Sequence, residues 1–403
     1  MGKLTKKLSA IALCTIFASM QIASAAIDTG LNDAMINKTD GGFVGLDKGP
    51  GSASLNFNGN AHVNWDRLNV GKGETLNFNA VNGATDLTIV NTVNNGMTTV
   101  YGTINSNEGI GRLIISNPNG MLYDGANFTT AGDLMLTTQA LDVKYAEGKI
   151  DIKGLGTEAV NAVTIKNSDF SVGGEFNITA PSIEAIKTAI EAKKGLKLVT
   201  ADGQNYLVAP STSNDNRHIA VRMETVSVNG NVYVMNGKDI VNFVNGGKID
   251  GNLTIESDGN VALNYTNKGE KLHVTKDINV NNDGRISYLR NAKVDGNVNM
   301  HNSGGFLEVG NIEVGKDVNL KTTVKSNEAV KHFVHVIGDN DIKGDLNIDS
   351  IHNIHIGGYN YQLDTMADGN LKTGLLAGTI FPIVLVFTLV ILKKRQNIQK
   401  IIN

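Results

Sequence analysis

Cysteine is all but missing from this 403-residue chain, whose single thiol is Cys14. Without a second thiol there is no intrachain disulfide and no cysteine-built metal centre. Proline is scarce too, five residues in the whole chain, where about 5% is usual. Aromatic residues make up only 5%, with one tryptophan, Trp65. The formal net charge is −3 and the body of the chain holds no Lys/Arg cluster, so there is no basic field to grip nucleic acid. Long helix-forming runs are nearly absent, which removes leucine-rich and ankyrin-type repeats. Glycine is abundant instead, 45 residues, or about eleven per cent against a usual ~7%, and asparagine is the commonest polar residue. That pairing would suit a disordered chain, but 41% hydrophobic residues arranged in short alternating runs can bury a core.

The two ends carry different signals. Lys3, Lys6 and Lys7 precede an apolar stretch from Leu8 to Ile22 and a small-residue site, Ala23-Ser24-Ala25. This is the pattern of a signal peptide over 1–25, so the protein is expected to be exported. Leu13 before Cys14 is not the small residue that a lipoprotein site needs. At the other end Thr373 to Leu392 is uncharged over 20 residues and is followed by Lys393-Lys394-Arg395. At ~1.5 Å per helical residue it matches a bilayer core of ~30 Å. The expectation is a transmembrane helix over 373–392 with a basic cytoplasmic tail over 393–403.

Between the ends one pattern recurs: apolar, any, Gly or similar, Asn/Asp/Glu, apolar, any, apolar. It reads VNGNVYV from Val228, IDGNLTI from Ile249, VTKDINV from Val274, VDGNVNM from Val294, VGKDVNL from Val314 and IKGDLNI from Ile342, at intervals of 21, 25, 20, 20 and 28 residues. Weaker copies start at Thr130 and Val172. Such a period is that of a solenoid. The final apolar-polar-apolar triplet is a strand, and the Gly-Asn before it is a corner, since both residues accept positive φ. The fold class expected is all-β, a right-handed parallel β-helix (single-stranded solenoid) with Val, Ile and Leu stacked inside. Residues 26–370 would make a rod on the order of 60–75 Å long. Ile183 to Leu196 has apolar residues at helical spacing after Pro181, which predicts a short amphipathic helix within an insertion near 180–218.

LIISNPNGMLY, residues 113–123, places a rare proline between two asparagines amid strand-forming residues. Pro sets φ for a turn that Asn and Gly can close. In a β-helix the flanking strands pair with other coils, so Asn117, Pro118, Asn119 and Gly120 form a corner, where a missing N–H breaks no ladder.

Together with HVNWDRLNVGKGETLNF (62–78), IVNTV (89–93) and YGTINSNEGIGRLIISNPNGMLY (101–123), this tetrapeptide resembles the N-terminal two-partner-secretion domain of filamentous-haemagglutinin-type exoproteins. The resemblance covers roughly residues 28–140 and sets the expected division: 26–140 as a secretion-domain-like β-helix and 141–370 as its extension. It implies a secretion motif made of Asn117, Pro118, Asn119, Gly120, Trp65 and Asn91. It also implies an outer-membrane barrel transporter as partner, and a surface or extracellular adhesin or haemagglutinin that meets host or neighbouring-cell ligands. The chain departs from the family at Leu68, where Phe is usual, and at Thr92, where Arg is common; it has no second NPNL-like motif. The apolar C-terminal segment leaves open a membrane-tethered periplasmic relative, a truncated one, or a degenerate wall-sorting signal.

One histidine constellation stands out. KHFVH (331–335) and IHNIH (351–355) place His332 and His335 each 20 residues before His352 and His355, one coil apart. Stacking would bring a pair within ~5 Å, within reach of a shared metal. Residues three apart face opposite sides of a strand, so at most one pair converges, and an ordinary side-chain ladder is the expected reading, with no metal or other cofactor. A β-helix polysaccharide-active enzyme is the rival class. It needs carboxylates stacked with a base on one sheet, whereas Asp277, Asp283, Arg285, Arg290, Asp295 and Asp317 fall mostly at corners, so no catalytic residue is assigned.

Overall fold

Alternation within each short apolar triplet sends every second side chain to one side, and the corners between triplets turn that side inward. A computed structural model describes residues 31, 34–155, 161–200, 219–237, 239–265, 269–323, 333–350, 353–357, 359–361 and 370–374. Apart from a single 3-10 residue, its regular structure is all strand, in one long, mainly parallel sheet with a separate two-stranded hairpin. Between the two ends, the strands of this sheet pair in parallel with the strands one coil earlier and one coil later, the pairing of a parallel β-helix.

Three ladders run the length of the stack. The first passes from Ser52–Arg67 through Thr75–Ala80 and Thr103–Ser106 to Asp341–Ile342, over twelve levels. The second runs from Ser52–Arg67 through Leu87–Val93 and Ile110–Ser116 to Asp345–Ser350. The third starts at Asn69–Val70, passes Thr98–Val100 and Met121–Asp124, and ends at Asn353–Ile356. Steps of ~4.8 Å between levels give the described coils a length of about 50 Å. This is shorter than the sequence suggested, because cap strands and a hairpin consume residues without adding levels.

The repeat is in register as read from the sequence. Val228 pairs with Ile249, Ile249 with Val274, Val274 with Val294, Val294 with Val314 and Val314 with Ile342. Their side chains join a single buried cluster that extends from Leu31 to Ile354. Aromatic side chains stack inside it, with Phe128, Phe170 and Phe176 centred 5.4 and 5.1 Å apart in succession.

The corners differ from expectation in their chemistry. Among the glycines of the full copies, Gly251, Gly296, Gly315 and Gly344 do not have positive φ, and Gly230 alone does, at 140°. A Cβ on Gly296 or Gly344 would overlap the carboxylate oxygen of Asp277 or Asp317 in the previous coil. Those oxygens are committed: Asp277 Oδ1 accepts Asn297 N–H at 2.7 Å and Asp317 Oδ1 accepts Asp345 N–H at 2.8 Å. The Asn/Asp side chains of the signature therefore form a ladder of acceptors. Its glycines leave room both for that ladder and for the backbone carbonyl of the previous coil, which a Cβ would meet at Gly251 and Gly315 as well as at Gly296 and Gly344. A positive φ that recurs from coil to coil belongs instead to another corner, leaving the third face, where Asn167, Asn245, Asn291 and Asn311 adopt φ of 48°, 55°, 45° and 52°. Asparagine is the non-glycine residue that best tolerates that region.

The expected helix is absent. Residues 182–199 form Ser182–Ile186, Ala189–Ala192 and Gly195–Val199, one ordinary coil. Ile183, Ala185, Ile190, Ala192, Leu196 and Leu198 are buried, alternating within each strand, and Lys187 turns the corner at φ 48°. Two corners inserted into a period of two imitated helical spacing. Of the proposed insertion near 180–218, residues 201–218 lie outside the described residues. A hairpin not anticipated from the sequence, Leu141–Ala146 with Lys149–Gly154, lengthens the return from Thr130 to Val172. Its turn has Glu147 and Gly148 at φ 51° and 76°, and Gly148 O accepts Asn60 Nδ2 at 3.0 Å.

Antiparallel strands cover both ends of the stack. Met35–Gly49 lies along Ser52–Arg67, and Asn370–Gly374 along Asp345–Ser350. Each covers backbone groups that would otherwise offer an open edge. Thr373 and Gly374, the first residues of the expected membrane helix, thus lie in a strand, and 375–392 fall outside the described residues. No helix among the described residues is long and apolar enough to cross a membrane.

Candidate functional site

Trp65 ends the run of inward residues Ala61, Val63 and Trp65, and its ring is 2% exposed. A buried indole N–H needs an acceptor. It finds one in the next coil, donating to Asn91 Oδ1 at 2.9 Å. Asn91, fully buried between Val63 and Ile115 in the ladder, donates its own Nδ2–H to Ile114 O at 3.1 Å. Two of the sequence-predicted residues are thus in direct contact, and their chain of bonds crosses three coils.

Leu113 to Ser116 leads from there into the corner. Gly120 N–H donates to Asn117 O at 3.0 Å, closing a turn with Pro118 and Asn119 at its centre. Asn119 keeps negative φ and Gly120 alone is left-handed, at φ 98°, which is the residue order that a type I turn favours: Asn, Pro, any, Gly. Asn117 is 0% exposed. Its Nδ2 donates to Gly96 O at 3.0 Å and to Thr98 Oγ1 at 2.8 Å, one coil earlier, and its Oδ1 accepts Asn119 N–H at 2.8 Å. Its backbone N–H donates to Thr137 O at 2.9 Å, one coil later. Pro118 O accepts Asn161 Nδ2 at 2.7 Å and Asn119 Nδ2 donates to Asn94 O at 3.0 Å. The tetrapeptide is thus bonded to coils on both sides. Asn117 and Gly120 are buried, whereas Pro118 is half-buried and Asn119 is exposed, so those two form its outward surface.

The departures from the family pattern are accommodated locally. Leu68 is buried at 1% exposure, an apolar site like the one a phenylalanine would fill. Thr92 Oγ1 bonds His62 Nε2 at 2.8 Å. Burial holds the His62 imidazole below its ordinary value, with Lys38 adding to that and Asp40 opposing it. Glu74 was not singled out in the sequence, yet its Oε2 accepts the N–H groups of Gly71 and Leu31, both at 2.7 Å. Its place in GKGETLNF gives no sign that the side chain folds back on the chain.

Of the histidines, His335 and His355 are in register and their rings lie 5.2 Å apart. His332 and His352 lie outside the described residues. His335 Nδ1 stands 3.5 Å from the buried Glu308 carboxylate, which is also paired with Arg290. Burial lowers the His335 pKa, as do His355 and Arg290, against the pull of Glu308. Among the described residues no group of three or more His, Cys, Asp or Glu is placed to hold a metal ion.

A second feature lies on the outer side of the second face. Asn279, Asn299, Asn319 and Asn347 stack in register. Each later Nδ2 donates to the earlier Oδ1, at 2.9, 2.8 and 2.8 Å. They line a groove of about 430 Å³. Its signal was present in the repeat, where the variable position between the last two apolar residues is asparagine in four successive copies.

Two solved secretion domains are similar to this chain. One is the HMW1 secretion domain from Haemophilus influenzae, 14% identical, with a TM-score of 0.39 over 80% of this chain and 100% of that one. The other is the filamentous hemagglutinin secretion domain, 17% identical, with a TM-score of 0.38 over 81% and 97%. No family model matches the chain, and no curated protein matches it.

Proposed function

We propose that this protein is an exported, surface-exposed rod of the two-partner-secretion kind, an adhesin- or haemagglutinin-like exoprotein that binds and does not catalyse. The signal peptide over 1–25 takes it across the inner membrane, a dedicated barrel transporter takes it across the outer one, and the stack winds with the right hand that parallel crossovers nearly always adopt. The supporting observation is that Trp65 and Asn91, bonded to each other, and Asn117, bonded to the coil before it, are buried and tie successive coils together, three residues that the motif resemblance selected independently of any geometry. Their burial makes the motif first a device for holding the first coils together. In a stack where each coil contacts only its neighbours, interlocked first coils give a rod that emerges N-terminus first a seed on which later coils add. Pro118 and Asn119 are the part of the motif left to face a transporter.

Expression of the full chain with and without a two-partner barrel transporter tests this reading. The expected result is transporter-dependent digestion of the protein by protease added to intact cells. Protection in intact cells whatever the transporter would reject it and favour a periplasmic, tethered protein.

A further inference from the structure

We infer that the outer side of the second face binds a neutral, linear, equatorially linked oligosaccharide lying along the rod axis, with one sugar per coil. Each amide in the column from Asn279 to Asn347 spends at most one N–H and one oxygen lone pair on its neighbours. An amide offers two of each, so every level keeps one donor and one acceptor for a ligand. The ladder holds all four planes in the same sense, and such a row is pre-organised before a ligand arrives. Thr254 continues the column, and Tyr233 stands one level beyond it. Tyr233 lies just outside the groove's lining, with Lys197 Nζ 5.8 Å over its ring, and its hydroxyl donates to Glu256 Oε2 at 2.8 Å, holding the carboxylate that does line the groove's head.

Spacing selects the ligand. An equatorially linked pyranose chain advances on the order of 5 Å per ring, close to the ~4.8 Å between coils; alternate rings turn over, so each level meets a hydroxyl edge of one ring and the same edge returns every second level. An extended peptide repeats its side chains on one face every ~6.7 Å and falls out of step within two levels. The opposite wall carries Glu256, His301, Lys321 and Asp349 on successive or near levels, with Lys321 and Asp349 paired at 2.9 Å. Its charges alternate in sign, so it offers no basic track for phosphates and no net attraction for a polyanion. A volume of about 430 Å³ is within the range of small-ligand sites and suits a few sugar rings rather than a protein domain.

This goes beyond the secretion reading, and it is tested on purified full-length protein, so failure of export leaves it untouched. Calorimetric titration with cellohexaose and chitohexaose is expected to show binding that tightens stepwise from trimer to hexamer, with maltohexaose, whose axial links curl the chain, at least tenfold weaker. Asn299→Ala and Asn319→Ala should each weaken the hexamer about tenfold or more. Should either variant melt early, Thr254→Val, in the same column and outside the amide ladder, reads the same loss. The inference falls if neither equatorial hexamer binds at millimolar concentration, if maltohexaose binds equally, or if folded variants bind as well as the parent. It falls too if the variants instead abolish self-association of the protein through this face.

Discussion

Asn117 shows how much one side chain carries at a corner. Its amide serves Gly96 O, Thr98 Oγ1 and Asn119 N–H at a fully buried position. Asn117→Ala strands those groups, and a buried polar group left unpaired costs about 1–3 kcal/mol. Pro118→Ala keeps the turn, the carbonyl and its bond from Asn161, and should change stability by less than about 1 kcal/mol. Urea unfolding of the two variants checks the contrast. Equal losses would mean that the proline, not the buried amide, holds the corner. The same arithmetic explains why Trp65 and Asn91 depend on each other, since either one alone leaves the other's polar atom buried without a partner.

At the scale of one coil, the Gly-Asn/Asp corner is a hydrogen-bonding device. Gly296→Ala would put a methyl group where Asp277 Oδ1 now accepts Asn297 N–H. Overpacking of this kind costs about 1–3 kcal/mol. Adding Asp277→Ala removes one of the two obstructions and leaves the Lys276 carbonyl in place. The double variant should therefore be partly, not wholly, relieved relative to the sum of the two single ones, a coupling that a double-mutant cycle by chemical denaturation measures. Strict additivity would mean that the glycine is there for another reason. The coil at 182–199 teaches the complementary lesson. Its residues have good helix propensity, but neighbours on both sides offer parallel edges, and tertiary pairing outweighs propensity differences of a few tenths of a kcal/mol per residue.

For the whole molecule, stability should depend on pH through two histidines. Burial holds both His62 and His335 below the ordinary value of 6.5. The unfolded chain therefore takes up protons more readily, so stability is fully present above about pH 6.5 and declines as pH falls toward the folded-state values. Around His62 stand Lys38 and Asp40, and around His335 stand Glu308, Arg290 and His355. The melting temperature should be lower at pH 5.5 than at pH 7.5, and His62→Gln should shrink that difference; an unchanged difference would remove His62 from the account. Sequence alone determined the repeat, its 20-to-28-residue register, the inward apolar positions and the identity of the corner residues, because strand alternation and turn chemistry are local. Only tertiary structure decided that 182–199 is a coil, that glycine clears a path for an acceptor, and that four asparagines form one groove wall. Those outcomes depend on which residue of the neighbouring coil lies alongside, and no window of a single coil contains that residue.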